Sequence, residues 1–193
     1  MASVEYLIQQ FLTPDKKVLD LSNQNIGDKG AATLVKSKAM KRLKRLRLPN
    51  NNIGDEGAAL IANCENLKNL IDLDFYGNVI SDDGVKAIAE SPYMSNLKKL
   101  SLYGNLVEDE GAIAIAESKV LSKLKHLFLT SNRIRRDGIE ALQREKSRLR
   151  LCYLHVDDIE EYSYVTDMDE EDEDLKQWME MKERIKEGDL EAE

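Results

Sequence analysis

The chain of 193 residues has only two cysteines, two histidines and one tryptophan, and nowhere a long uninterrupted run of apolar residues. Without such a run no segment reads as a membrane-spanning helix. The opening residues, M-A-S-V-E-Y, lack the basic segment and apolar core of a secretory signal. No glycine-rich phosphate loop follows a strand pattern, and no serine or cysteine stands in a recognisable nucleophile context. Cys64 and Cys152 are far apart, and Cys64 falls in one column with Ser37, Ser91 and Ser118. That column reads as small packing positions of a protein kept reduced, hence cytoplasmic, rather than as half of a disulfide. His126 and His155 are too few for a catalytic zinc site, whose third ligand would have to come from Asp157. The run D-M-D-E-E-D-E-D at 167–174 places Asp172 and Trp178 where a calcium loop needs glycine and glutamate. No metal, cofactor or enzymatic activity is therefore expected.

What the chain does have is a period. Steps of 27 residues from Leu19 land on Leu46, Leu73, Leu100, Leu127 and Leu154. Two residues further on they read Leu21, Leu48, Phe75, Leu102, Leu129 and Val156, and three before Leu46 begins the column Leu43, Leu70, Leu97, Leu124 and Leu151. A strict period of this length marks a stack of units, none of which buries its apolar side alone.

One unit, Leu43 to Asn69, shows the plan. Leucines alternate at 46 and 48 as in a short strand with one buried face, Asn51 and Ile53 follow, and a turn through Gly54, Asp55 and Gly57 opens a helix carrying Ala58, Ile61 and Ala62. Asp55 is placed to cap that helix through its carboxylate. The column Gln24, Asn51, Asn78, Asn105 and Asn132 is suited to bonding the backbone of adjacent turns, because an amide both donates and accepts. The register reaches the N-terminus, where Val4, Leu7, Ile8, Phe11 and Leu12 form a helical stripe ending before Pro14.

The motif L-x-x-L-x-L-x-x-N-x-I-G-D-E-G-A-x-x-L resembles the leucine-rich repeat of the ribonuclease-inhibitor type over roughly residues 4 to 156. The resemblance implies a curved α/β solenoid with a parallel inner sheet and outer helices. Geometry agrees, since strands sit ~4.8 Å apart and packed helices about 8 to 10 Å apart, so the helical side splays. The expected division is a solenoid over 1–156 and an acidic tail over 157–193, with a possible short helix around Trp178. The tail carries 17 Asp and Glu against 4 Lys and Arg, so that within a total of −8 the array stands at +5. The array's basic clusters, Lys36 to Arg47 and Arg133 to Arg150, read as solvated surface charge rather than as a nucleic-acid site.

Strand residues between the buried leucines must point into the concavity. They form the columns Val18, Arg45, Asp72, Lys99, His126, Tyr153; Asp20, Arg47, Asp74, Ser101, Phe128, His155; and Ser22, Pro49, Tyr76, Tyr103, Thr130, Asp157. Charges dominate the early units and aromatics the later ones. Tyr76, Tyr103, Phe128 and Tyr153 are expected to face water, and exposed aromatics among a few charges are the composition of an interface centre. The expected function is thus a non-enzymatic module that binds a protein partner through Arg45, Arg47, Asp72, Asp74, Tyr76, Lys99, Tyr103, His126, Phe128, Tyr153 and His155. Capping of this patch by the chain's own tail is the internal alternative. Repeats joined to an acidic tail also resemble the Ran GTPase-activating protein, which implies a regulator of a small GTPase, and some bacterial effectors delivered into host cells.

Overall fold

The computed structural model describes residues 2–149 and 153–156. The expectations for Cys152, Asp157 and the tail, Trp178 included, lie outside these. The short strands β1 (Val18–Asp20), β2 (Arg45–Arg47), β3 (Asp72–Asp74), β4 (Lys99–Ser101), β5 (His126–Phe128) and β6 (Tyr153–His155) form one sheet in chain order. All pair in parallel, Leu19 to Leu46 to Leu73 to Leu100 to Leu127 to Leu154. Between them run α1 (Val4–Phe11, before β1), α2 (Gly27–Leu34), α3 (Asp55–Ala62), α4 (Asp82–Glu90), α5 (Asp109–Glu117) and α6 (Arg136–Leu149). The array is the curved α/β solenoid that the period implies.

Leu19, Leu46, Leu73, Leu100 and Leu127 of the sheet, Leu67, Leu70, Leu97 and Leu124 after the helices, and Ile61, Ile88 and Ile115 on the helices are buried in one continuous core. Each unit contributes only a few apolar side chains, so burial is complete only between neighbours. The first helix shows the consequence. Leu7 and Ile8 are buried against the core, but Phe11, on the same stripe by spacing, is 44% exposed, because among the described residues α1 has a neighbouring unit on one side only.

Three columns of polar groups tie unit to unit. Asn78 accepts through Oδ1 from the amides of Asn51 and Ile53 at 3.1 and 3.0 Å, and its Nδ2 donates to the carbonyls of Leu48 and Phe75 at 3.0 and 2.9 Å. Asn51, Asn105 and Asn132 repeat this pattern, so the amide column supplies partners to backbone groups that neither sheet nor helix reaches. On the helical side, Cys64 and Ser91 donate to the carbonyls of Val35 and Ala62 at 3.5 and 2.7 Å, and Ser118 donates to Ala89. Cys64 is a buried free thiol whose pKa burial pushes up.

The third column corrects the expectation for Asp55. Gly54, not Asp55, is the cap residue of α3, and it has no side chain with which to cap. The Asp55 carboxylate instead accepts from the amides of Ser81 and Gly84 at 2.7 and 3.0 Å, at the start of the next helix. Asp28 serves Gly54 and Gly57 in the same way, and Asp109 serves Arg135 and Gly138. Each aspartate thus caps its successor. Arg136 breaks the column at the start of α6, where it pairs with Glu140 at 2.6 Å.

Candidate functional site

The open face of the sheet is built by alternation, for the leucines point into the core and the residues between them point away from it. The parallel register lines up Arg45, Asp72, Lys99, His126 and Tyr153 in one row, and Arg47, Asp74, Ser101, Phe128 and His155 in the next. Opposite charges therefore alternate across β2, β3 and β4 in the first row and across β2 and β3 in the second.

Asp72 is 6% exposed. Burial pushes its carboxyl up to about 6, against the opposing pull of Lys99, Arg47 and Arg45 and with the help of Asp74. Asp74 is also raised by burial, although its carboxylate accepts from the amide of Tyr76 at 2.9 Å. That bond fixes the start of the turn that carries Tyr76. Asp20 makes the equivalent turn at Ser22, accepting from its amide at 3.0 Å.

The rings of Tyr76 and Tyr103 stand 5.1 Å apart at a tilt of 32°, with Tyr76 41% exposed and Tyr103 half-buried. Aromatic pairs in this range attract each other and hold a fixed platform. Phe128 corrects the expectation that it faces water. It is 7% exposed and lies beside Lys99, whose Nζ is 5.7 Å from the ring centroid. A cation over a ring face is favourable, and the contact joins the charged rows to the aromatic ones. His126 is half-buried with its Nδ1 shielded from water. Tyr153 and His155 are placed by strand pairing, opposite His126 and Phe128.

The sequence reading missed the edge of the sheet where the strands turn outward. Among the described residues, the residue after each column-three position has positive φ: Asn23 and Asn50 at 60° and 53°, Gly77 and Gly104 at 64° and 66°, and Ser131 at 57°. Its signal was present as the repeated Asn and Gly that tolerate this conformation. On that edge, Val79 is 43% exposed and Leu106 half-buried.

Among the described residues, no group of three His, Cys, Asp or Glu is placed to hold a metal ion, and no helix is long and apolar enough to cross a membrane. On the helical side, a hollow of about 590 Å³ is lined by Ala89, Ile113, Val120, Lys86 and Glu110, the last two bonded to each other at 2.6 Å. Lys36, Lys38, Lys41 and Arg42 are exposed around the connection before β2.

A one-sheet stack with amide ladders and outer helices defines a repeat solenoid. The leucine-rich repeat model matches residues 17–35, 41–62, 66–89, 93–116 and 120–142, and the chain belongs to that family, whose members are typically non-enzymatic protein-binding modules. A comparison with curated proteins returns no match. Among solved structures, the chain is similar to the tropomodulin C-terminal domain of Caenorhabditis elegans, with a TM-score of 0.52 and 15% identity over 77% of this chain and 96% of that one. It also matches actin-binding site 2 of leiomodin-1, with a TM-score of 0.49 and 16% identity over 95% of each chain. These likenesses are of fold.

Proposed function

We propose that the protein is an interaction module that grips a protein partner on the open face of its sheet, centred on the Tyr76–Tyr103 pair. The observation that carries this reading is that pair itself, two rings stacked 5.1 Å apart with one of them 41% exposed, on a face where core packing does not call for an aromatic. Rings held in place lose little entropy when a partner covers them, and they offer large contact area. Around them, Arg45, Arg47, Asp72, Asp74 and Lys99 supply charges of both signs whose alternation fixes a partner's register more than it adds affinity. The Asp72 carboxyl supports the same reading. A buried acid held at about 6 works against the isolated fold at neutral pH, and a partner cation set against it would offset that cost.

The test is a pull-down with the full chain and with Tyr76→Ala/Tyr103→Ala, bound proteins being identified by mass spectrometry. Partners retained by the natural chain are expected to fall by tenfold or more on the double variant, about 1.4 kcal/mol or more, with thermal stability preserved. Equal recovery on both chains removes the open face as the binding surface.

A further inference from the structure

Exposed large hydrophobic side chains among the described residues fall in two places: Tyr6 and Phe11 on the terminal helix α1, and Tyr76 and Val79 on the outward-turning edge of the sheet. The first place is explained by position, since among the described residues α1 packs against a neighbouring unit on one side only. The second lies in mid-array and needs another reason. There, two adjacent units carry the segments F-Y-G-N-V-I and L-Y-G-N-L-V, which put Tyr76 and Val79, then Tyr103 and Leu106, on one edge. The equivalent positions are Pro49 and Asn52 in the preceding unit, and Thr130 and Arg133 in the following one. The apolar strip is therefore two units wide.

Its borders differ in charge. On one side stand the exposed, neutral Asn50 and Asn52; on the other stand the exposed Arg133 and Arg135. Arg133 reaches Glu108 only at 3.9 Å, with its side chain 63% exposed, so its charge is available to a second carboxylate. Successive units repeat every ~4.8 Å, and one turn of an α-helix rises about 5.4 Å. A helix laid across the units keeps step with them, placing one side chain over each.

We propose that this edge, as an extension of the protein-binding face inferred above, recognises an amphipathic helix of the partner. Its successive turns present an apolar residue over Tyr76 and Val79, a second over Tyr103 and Leu106, and an Asp or Glu beside Arg133 and Arg135. The apolar strip fixes position, and the arginines fix direction, because a helix laid the other way would put its carboxylate at the asparagines.

The experiment is a selection on the full-length protein of a displayed peptide library, built on a helical scaffold and randomised at three positions one turn apart. Enriched helices are expected to carry Leu, Ile, Val, Met or Phe at the first two positions and Asp or Glu at the third. Their affinity is expected to fall by about tenfold or more for Val79→Asp. Val79→Asn, which places there the residue found at Asn52, keeps the comparison valid should the aspartate disturb the turn. With Arg133→Glu/Arg135→Glu, selection at the third position should change from acidic to Lys or Arg. Enrichment of basic residues by the natural chain, no enrichment above a scaffold-only control, or equal affinity for the Val79 variants overturns the proposal. Helices lost on Tyr103→Ala but indifferent to Val79 leave the open-face reading standing and remove the edge from it; helices indifferent to both remove both.

Discussion

Asp55 lies in the first turn of α3, yet its Oδ1 accepts from the amide of Gly84 at 3.0 Å, in the first turn of α4. The N-termini of α3 to α6 are therefore satisfied across units, whereas α1 is capped locally by Ser3, whose side chain accepts from the amide of Tyr6. Asp55→Ala should cost about 1 to 2 kcal/mol, as the loss of a good cap does. Arg136→Asp, which restores the missing member of that column, should change stability by less than about 0.5 kcal/mol. Urea unfolding of both variants checks the contrast, and equal effects would show that the carboxylate column does not cap forward.

Asn78 is more heavily committed. Removing it by Asn78→Ala leaves the amides of Asn51 and Ile53 and the carbonyl of Leu48 without their partner in a site that is 5% exposed, while the Phe75 carbonyl keeps its bond from Asn105 at 2.9 Å. The expected loss is about 3 kcal/mol or more, since buried groups left unpaired bear their full desolvation cost. A chemical-denaturation midpoint within experimental error of the natural protein's would contradict the ladder's role.

Gly104 has φ of 66°, and a β-carbon there would meet nothing nearer than the Gly77 backbone at 3.7 Å. Backbone conformation, not space, keeps glycine in place. Gly104→Asn should be tolerated within about 0.5 kcal/mol, because asparagine accepts this conformation at the equivalent Asn50, whereas Gly104→Val should cost about 1 to 3 kcal/mol. Thermal unfolding separates the two, and a valine as mild as the asparagine would refute the assignment.

Asp72 makes stability depend on pH. Its folded carboxyl titrates at about 6 against an ordinary 3.8, so between these values the folded state binds more protons than the unfolded one. Its contribution to stability accordingly falls as pH rises through that window, the reverse of a salt-bridged carboxylate. Asp72→Asn should stabilise the protein by about 1 to 3 kcal/mol above pH ~6.5 and have little effect below pH ~4. Parallel unfolding curves for the two chains across the range would show that the carboxyl is not held up.

The fold was readable because leucine recurs at fixed spacing, which specifies both the unit and the register of the sheet. The amide column was readable for the same reason, since Asn51, Asn78, Asn105 and Asn132 occupy one phase of the repeat. Phe128 was assigned correctly to a strand row opposite Ser101 and wrongly to water. Alternation tells which side of a sheet a residue takes, but burial on that side depends on what else lies over it. Val79 and Leu106 escaped notice because they interrupt the strand alternation rather than follow it.

By itself, the sequence determined that this chain stacks like units in parallel, because each unit's apolar side is too small to be buried alone. Only the tertiary structure decided which carboxylate caps which helix, how deeply Asp72 and Phe128 sit, and where the apolar edge is interrupted by charge. Those depend on the offset between neighbouring units, which places Asp55 against residues 26 and 29 positions further along the chain. Periodicity shows that such neighbours exist; the packing distance between a strand and its helix sets which atoms meet.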